Sequence, residues 1–300
     1  MAALVPTLRS LLAQADALFA EGRVPAARRA YEELVQRAQE KPDRLTEAMA
    51  RAMLARCLLK LEGPDAARAQ LELAERTADA RDVETRARLL SARVRLQVEE
   101  GPPREARGAL REYLAFAEDE RLGDVILDAC LLLAVGAPPK ERAEWLDRGI
   151  VQAVELGADA LLGRACGELA HALDQLEQGD AALEAYQQSL RWHRQRGRGR
   201  ETVAAGWAVG ALACRLEEWP LARSALEEAV AVGERLTDCE DLVALALADL
   251  ASVYEAAGDV IEARRILLRA LARGREQQLG AQWPDRWDAI RRHARRLELE

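Results

Sequence analysis

Apolar residues along this chain recur at helical spacing, and the helical stretches come in pairs. The segment LASVYEAAGDVIEARRILLRAL, Leu250 to Leu271, sets Leu250, Ala251 and Tyr254 before a Gly258-Asp259 break and Ala263, Leu267 and Ala270 after it. Spacings of three and four place each set on one face of a helix. A Gly followed by Asp ends one helix and opens the next. The small Ala251 and Ala263 let two helices approach closely, and Tyr254 and Leu267 fill the space between them.

The same pattern recurs along the chain. Leu11, Ala15, Leu18, Gly22, Ala27, Tyr31 and Leu34 form one copy; Leu54, Ala55, Leu58, Gly63, Ala67, Leu71 and Ala74 form the next. Leu169, Ala170, Leu173, Gly179, Ala182, Tyr186 and Ser189 make another, with Gly179 read at the turn. In the copy carrying Gly210, Ala213, Ala222, Leu226 and Ala229, Trp219-Pro220 stands where the Gly turn usually sits. Two weaker copies centre on EEGPPREARGALREYL and AVGAPPKERAEWLDRGI, the second with its register near Ala143 left open. Seven of the ten prolines (Pro25, Pro64, Pro102, Pro103, Pro138, Pro139 and Pro220) fall at these breaks. A first-turn proline loses no hydrogen bond, whereas an interior one costs about 3 kcal/mol. The breaks lie roughly 35 to 43 residues apart, the range of helical-hairpin repeats.

The sequence Leu-Gly/Ala-x-x-Tyr, then Gly-Asp, then Ala-x-x-x-Tyr/Leu-x-x-Ala resembles the tetratricopeptide repeat family in its longer-period form. The resemblance runs from about Leu11 to Arg273 as seven helix pairs. It implies an all-α fold, a right-handed α-solenoid of antiparallel helix pairs over residues 1–280. A C-terminal capping helix over 281–300 completes a single elongated domain. In the cap, Trp283, Trp287, Ile290, Ala294 and Leu297 share one face, and Arg291, Arg292, Arg295 and Arg296 cover the rest. No hairpin of this kind buries its apolar face alone, so each is completed by its neighbour.

Composition agrees with helices: 50% of residues are hydrophobic and 31% charged, a balance unlike that of a disordered chain. The net charge is −8, split as −2 over residues 1–150 and −6 over 151–300, so neither half offers the basic footprint of a nucleic-acid binder. No apolar run reaches the length of a membrane span, and the opening MAALVPTLRSLLAQADALFAEGR lacks the charged start and apolar core of a signal peptide. Cys57, Cys130, Cys166, Cys214 and Cys239 stand far apart, as buried reduced thiols do in the cytoplasm. The expected location is therefore cytoplasmic, with no nucleic acid and no membrane as partner.

Motifs for phosphate loops, dinucleotide sites, nucleophile elbows and zinc helices are missing from the sequence. His171, His193 and His293 stand in separate repeats or the cap, with no second ligand at helical spacing. No enzyme, cofactor or metal is expected. The resemblance points instead to protein binding, since the first helix of each pair lines the inner groove in this family. Carried over by position, inward candidates are Asp16, Met53, Arg56, Lys60, Arg95, His171, Asp174, Trp207, Arg215 and Glu255. Arg56, Lys60, Arg88 and Arg95 would make a basic N-terminal sector, with Asp174 and Glu255 making the other end more acidic.

Trp207 reads either as a binding hot spot or as filling against the next repeat. The run RWHRQRGRGRE offers Arg194, Arg196, Arg198 and Arg200 as a second basic patch, or as cations favoured near a helix C-terminus. Asparagine is absent from the chain, so the inward Asn side chains with which some relatives grip extended peptides have no counterpart. The partner expected is a protein, through a folded surface or a helix laid in the groove, acidic where it meets the arginines. A regulatory module responding to a small ligand or peptide is the alternative, and the oligomeric state is left open.

Overall fold

The computed structural model describes residues 7–79, 81–101 and 103–299. The turn proline Pro102 and the first six residues of the opening stretch lie outside the described residues. Among the described residues the regular structure is helical, without a strand. The helices gather into two compact units, Met1–Leu133 and Ala134–Glu300.

The first unit holds α1 (Leu8–Ala20), α2 (Val24–Glu40), α3 (Arg44–Leu61), α4 (Pro64–Thr77), α5 (Val83–Glu100), α6 (Pro103–Asp119) and α7 (Gly123–Ala134), whose last residue marks the boundary. The second holds α8 (Pro139–Glu155), α9 (Leu162–Gln175), α10 (Gly179–Gln195), α11 (Gly199–Arg215), α12 (Trp219–Gly233), α13 (Glu240–Ala256), α14 (Val260–Glu276), the short α15 (Leu279–Gln282) and α16 (Pro284–Arg296). The breaks read from the sequence are the helix boundaries, the two weak copies included. In α8 the buried stripe is Leu146, Gly149 and Ala153, while Ala143 is half-buried.

Local chemistry sets the ends. Asp43, Asp82 and Asp259 cap α3, α5 and α14 by accepting the backbone N–H groups of Thr46, Thr85 and Glu262. Pro64, Pro139 and Pro284 open α4, α8 and α16, where a proline leaves no donor unmet. Gly258 turns the chain between α13 and α14 at φ 79°, a backbone that favours glycine. Two turns depart from the reading given above. Glu177 and Glu217, each at φ 60°, take the left-handed position before α10 and α12. Gly179 is instead the first residue of α10, and a Cβ there would stand 2.8 Å from Leu216 Cδ2. That glycine accommodates the close approach of the Leu216 side chain and does not make the turn.

Packing passes from pair to pair through the first helix. In the first unit α3 is shared: Ala50, Met53, Leu54 and Cys57 join Ala15, Ala27, Tyr31 and Leu34, while Ala52 and Ala55 join Leu71, Leu89, Ala92 and Leu96. Tyr31 is fully enclosed, and burying a side chain of this size contributes about 2–3 kcal/mol. First helices lie against first helices, α1 on α3 and α3 on α5, and α11 on α13 in the second unit. There α13 is buried along most of its length, from Leu242 to Val253. On α14 packs α16, whose Ile290 and Ala294 are buried together with Leu297 just past its last residue. Its Trp287 lies so close to α14 that a Cβ on Gly274 would meet Cζ3 at 2.4 Å.

Ion pairs reinforce this neighbour-to-neighbour order. Arg28 bonds Glu62 at 2.5 Å and Arg68 bonds Glu100, both about one repeat on. In the second unit Arg194 bonds Glu228 at 2.5 Å, and Arg269 and Arg273 both bond Glu234 at 2.8 Å.

Candidate partner-binding faces

In the first unit the first helices α1, α3, α5 and α7 carry the candidate groove residues, and most of their charges are matched within the protein. Asp16 of α1 accepts both amino groups of Arg88 of α5, at 2.9 and 2.8 Å, across 72 residues of sequence. It also accepts the Tyr31 hydroxyl at 2.6 Å. Burial, then the charge of Asp16 and the bond to it, pushes that phenol well above its ordinary value. Arg88 adds Glu84 at 2.9 Å.

Four residues past Ser91 on α5, Arg95 reaches Asp128 of α7 at 2.6 Å and donates to Ser91 Oγ at 2.7 Å. Asp128 also accepts Tyr113 Oη at 3.2 Å and Ser91 Oγ at 3.4 Å. Burial pushes the Asp128 carboxyl up, but the guanidiniums of Arg95 and Arg56 and these hydrogen bonds outweigh it, holding it below its ordinary value.

Arg56 differs from its neighbours. Among the described residues no carboxylate lies within ion-pair distance of it. Its guanidinium stands 4.8 Å from the centre of the Phe19 ring, and Nη1 makes a long contact, 3.7 Å, with Met53 Sδ. Nε is enclosed without a hydrogen-bond partner. Burial first, then the like charge of Arg95, lowers its pKa to about 10. Lys60, one turn on, also stands over Phe19, at 5.3 Å.

The basic sector read from the sequence is thus largely neutralised. Arg88 and Arg95 are consumed by Asp16 and Asp128, leaving the unmatched charge at Arg56. Asp128 and Phe19 escaped the sequence reading. Asp128 was legible in principle, as the lone acid in the apolar run VILDACLLLA.

In the second unit the structure brings Asp174 and Arg215 together at 2.5 Å, joining α9 to α11. His171 is exposed and pairs with Gln175 at 3.2 Å on its own helix. Trp207 is half-buried, and its indole N–H donates to Asp249 Oδ2 at 2.8 Å. Its ring meets Trp283 edge-on at 5.8 Å, and the Arg286 guanidinium stands 5.4 Å from it. Arg286 also bonds Asp249 at 2.5 Å. Asp249, again a lone acid in an apolar run, is thereby the tie between α11, α13 and the cap. Burial pushes its carboxyl above its ordinary value, with Arg286 and Trp207 opposing.

Glu255 bonds Arg296 at 2.6 Å and His293 at 2.8 Å, so the expected acidic end is also matched internally. The basic run is dispersed in the same way. Arg194 lies on Glu228, Arg196 on Asp159, Arg198 within 3.8 Å of Glu201, and Arg200 on Asp241 at 2.7 Å. Among the described residues no group of three or more His, Cys, Asp or Glu is placed to hold a metal ion, and no helix is long and apolar enough to cross a membrane.

Residues 201–276, from α11 through α14, match the family model described as tetratricopeptide repeat. No curated protein matches the sequence. Solved structures match over most of its length. The Signal Transduction ATPase with Numerous Domains protein with a tetratricopeptide repeat sensor from Pyrococcus horikoshii is 16% identical over 94% of this chain, with a TM-score of 0.71. This chain spans 44% of that protein. RapI, in its apo form, is 13% identical over 90% of this chain and 77% of its own, with a TM-score of 0.65. BtubC from P. vanneervenii is 19% identical over 78% of this chain and 91% of its own, at 0.55. At these identities the likeness is one of fold.

Proposed function

Because the chain is a tetratricopeptide-repeat protein, an all-α solenoid of helix pairs, we propose that it is a non-enzymatic scaffold or adaptor whose inner helix faces bind a protein partner. One observation carries this reading. The first helices α1, α3 and α5 lie side by side, and half-buried Arg56, Arg88 and Arg95 stand on α3 and α5. A small rotation from copy to copy gives such arrays an extended binding surface. The partner is a folded surface or a helix, acidic where it meets Arg56. Five free cysteines, four of them buried, suit a reducing compartment, and a cytoplasmic location is part of the proposal.

Affinity capture from the native cell with cross-linking tests it, comparing the wild type with Arg56→Glu and Trp207→Ala. The expected result is an interactor cross-linked to α3 or α5 and lost in Arg56→Glu. Cross-links confined to second helices such as α2 and α4 would move binding away from the inner face.

A second reading is favoured by the breadth of the match to the Pyrococcus horikoshii protein, whose repeat portion is described as a sensor. The structure of a Rap protein complexed with Competence and Sporulation Factor, 14% identical with a TM-score of 0.52, has the same fold. On this reading a ligand shifts the packing of successive pairs, and the change is passed to a partner. Thermal-shift screening against metabolites and peptides separates the two: a ligand that raises the midpoint by several degrees favours the sensor.

A further inference from the structure

Charge counted over the halves of the chain conceals a local excess. Residues 263–297 hold ten arginines against three carboxylates, +7 in a protein whose net charge is −8. Five of the ten are held by carboxylates: Arg265 by Glu262, Arg269 and Arg273 by Glu234, Arg286 by Asp249 and Arg296 by Glu255. Arg264, Arg292 and Arg295 make no ion pair among the described residues, and the last two are exposed on α16. A cation in the last turn suits the helix dipole, but that does not account for the whole run RRHARR. Like charges this close along a helix repel, and a cap needs only a polar outer face.

The neighbouring helix adds a second feature. Trp287 lies against Gly274, so α16 lies beside α14. On α14, Ile261, Arg264, Arg265 and Leu268 recur at helical spacing, away from the buried stripe of Ala263, Ile266, Leu267 and Ala270. Ile261 is 84% exposed, the most exposed large apolar side chain among the described residues, and Leu268 is 49% exposed. Exposed aliphatic groups and unpaired arginines thus stand together on two adjacent helices.

We propose that this face of α14 and α16 is a peripheral docking surface for an anionic lipid bilayer. The arginines meet the headgroup anions, while Ile261 and Leu268 enter the boundary between headgroups and acyl chains. A nucleic acid would satisfy the arginines but has no use for exposed aliphatic side chains. The nearby rings that could stack on bases are engaged, Trp287 against α14 and Trp283 against Trp207. A bilayer also imposes no fixed register, which suits arginines that no carboxylate orients. Such a contact needs no membrane-crossing helix, so it replaces the expectation that no membrane is a partner. It is separate from the inner helix faces and does not depend on what they bind.

The test floats the full chain with mixed vesicles of phosphatidylcholine and phosphatidylserine, with phosphatidylcholine vesicles as the neutral comparison. Binding to the anionic vesicles alone, weakened by added salt, is expected. Each arginine lost at such a surface weakens binding about fivefold. The Arg292→Gln, Arg295→Gln double variant should therefore bind roughly twentyfold more weakly. Its Arg292→Lys, Arg295→Lys counterpart keeps the charge and should recover most of the binding, which separates lost contact from lost folding. Ile261→Ser should weaken binding about threefold or more, whereas Arg29→Gln, exposed on α2, should not change it.

Equal flotation with neutral vesicles, an unaffected glutamine double variant, no recovery with lysine, or an unaffected Ile261→Ser each overturn the proposal. So does displacement from the vesicles by a DNA duplex or by polyaspartate at matched charge, which would make this a nucleic-acid or acidic-protein surface. Displacement by inorganic phosphate would reduce it to a single-anion site and overturn the bilayer as well.

Discussion

Replacing Asp128 by Asn is the most demanding test of the way the first unit is held. The carboxylate lies 2.6 Å from Arg95 Nη2, and both side chains are only 17% exposed. At that distance and an effective dielectric of about 20 the gross attraction is about 6 kcal/mol, most of it offset by the desolvation of both ions. The loss on removing one partner is larger than the net worth of the pair, because Arg95 is then stranded beside an already unmatched Arg56. Breaking buried pairs in this way costs about 3–5 kcal/mol. Against a domain stability of about 5–15 kcal/mol that is severe.

Urea unfolding followed by circular dichroism measures it, and the Arg95→Met, Asp128→Asn double variant completes the cycle. With both charges gone, most of the loss should return. A cost under about 1 kcal/mol for Asp128→Asn, or no recovery in the double variant, would refute the reasoning. Acid gives a second arm. The folded carboxyl is held below its ordinary 3.8, so the stability it supplies is full above that value and is lost as pH falls through the folded value. The variant should lack that component.

Three further outcomes follow from close contacts, turns and the cap. Gly210→Ala would set a Cβ 2.4 Å from Leu226 Cγ, a fully buried side chain with nowhere to go, and should cost about 1–3 kcal/mol in urea unfolding. Glu217→Gly relieves a left-handed residue and should stabilise by up to about 1 kcal/mol, while Gly258→Ala at φ 79° should lose a similar amount. Burial lowers the His293 pKa despite Glu255, so protonation is disfavoured in the fold and stability declines as pH drops below the ordinary 6.5. Thermal midpoints between about pH 7 and 5 should show that decline, and His293→Gln should remove it.

The fold was legible because its signals are local and repeated. Helical spacing, first-turn prolines and Asp caps each act within a few residues, and repetition made weak copies such as α5–α6 readable from strong ones. Turn assignments failed where two neighbouring residues competed for one role. Gly179 looks like a turn residue, but Glu177 makes the turn and Gly179 makes room for Leu216. The candidate groove residues were legible as helix positions only. Arg56, Arg88 and Arg95 look alike in sequence, and what separates them is which acid lies across from each: Asp16, 72 residues from Arg88, or Asp128, 33 residues from Arg95. No local pattern encodes that pairing, although a single acid in an apolar helix is a sign that some distant cation is needed.

These pairings also bear on how such a surface achieves selectivity. A face whose acids and bases are satisfied internally has little net field to attract partners indiscriminately, so steering by overall charge is weak. On the proposed binding role, recognition would fall to the few groups left unmatched, each of which costs stability until it is occupied. Local conflict in an otherwise consistent sequence is expected where function rather than folding chose the residue. In the second unit the same logic runs the other way. There Asp249 gathers Trp207, Arg286 and, through the ring contact, Trp283 into one closed cluster between α11, α13 and α16. Trp207, the aromatic that looked most like a hot spot, is engaged in joining repeats to their cap. Arg56, by contrast, has no carboxylate within ion-pair distance among the described residues and rests on Phe19 and Met53.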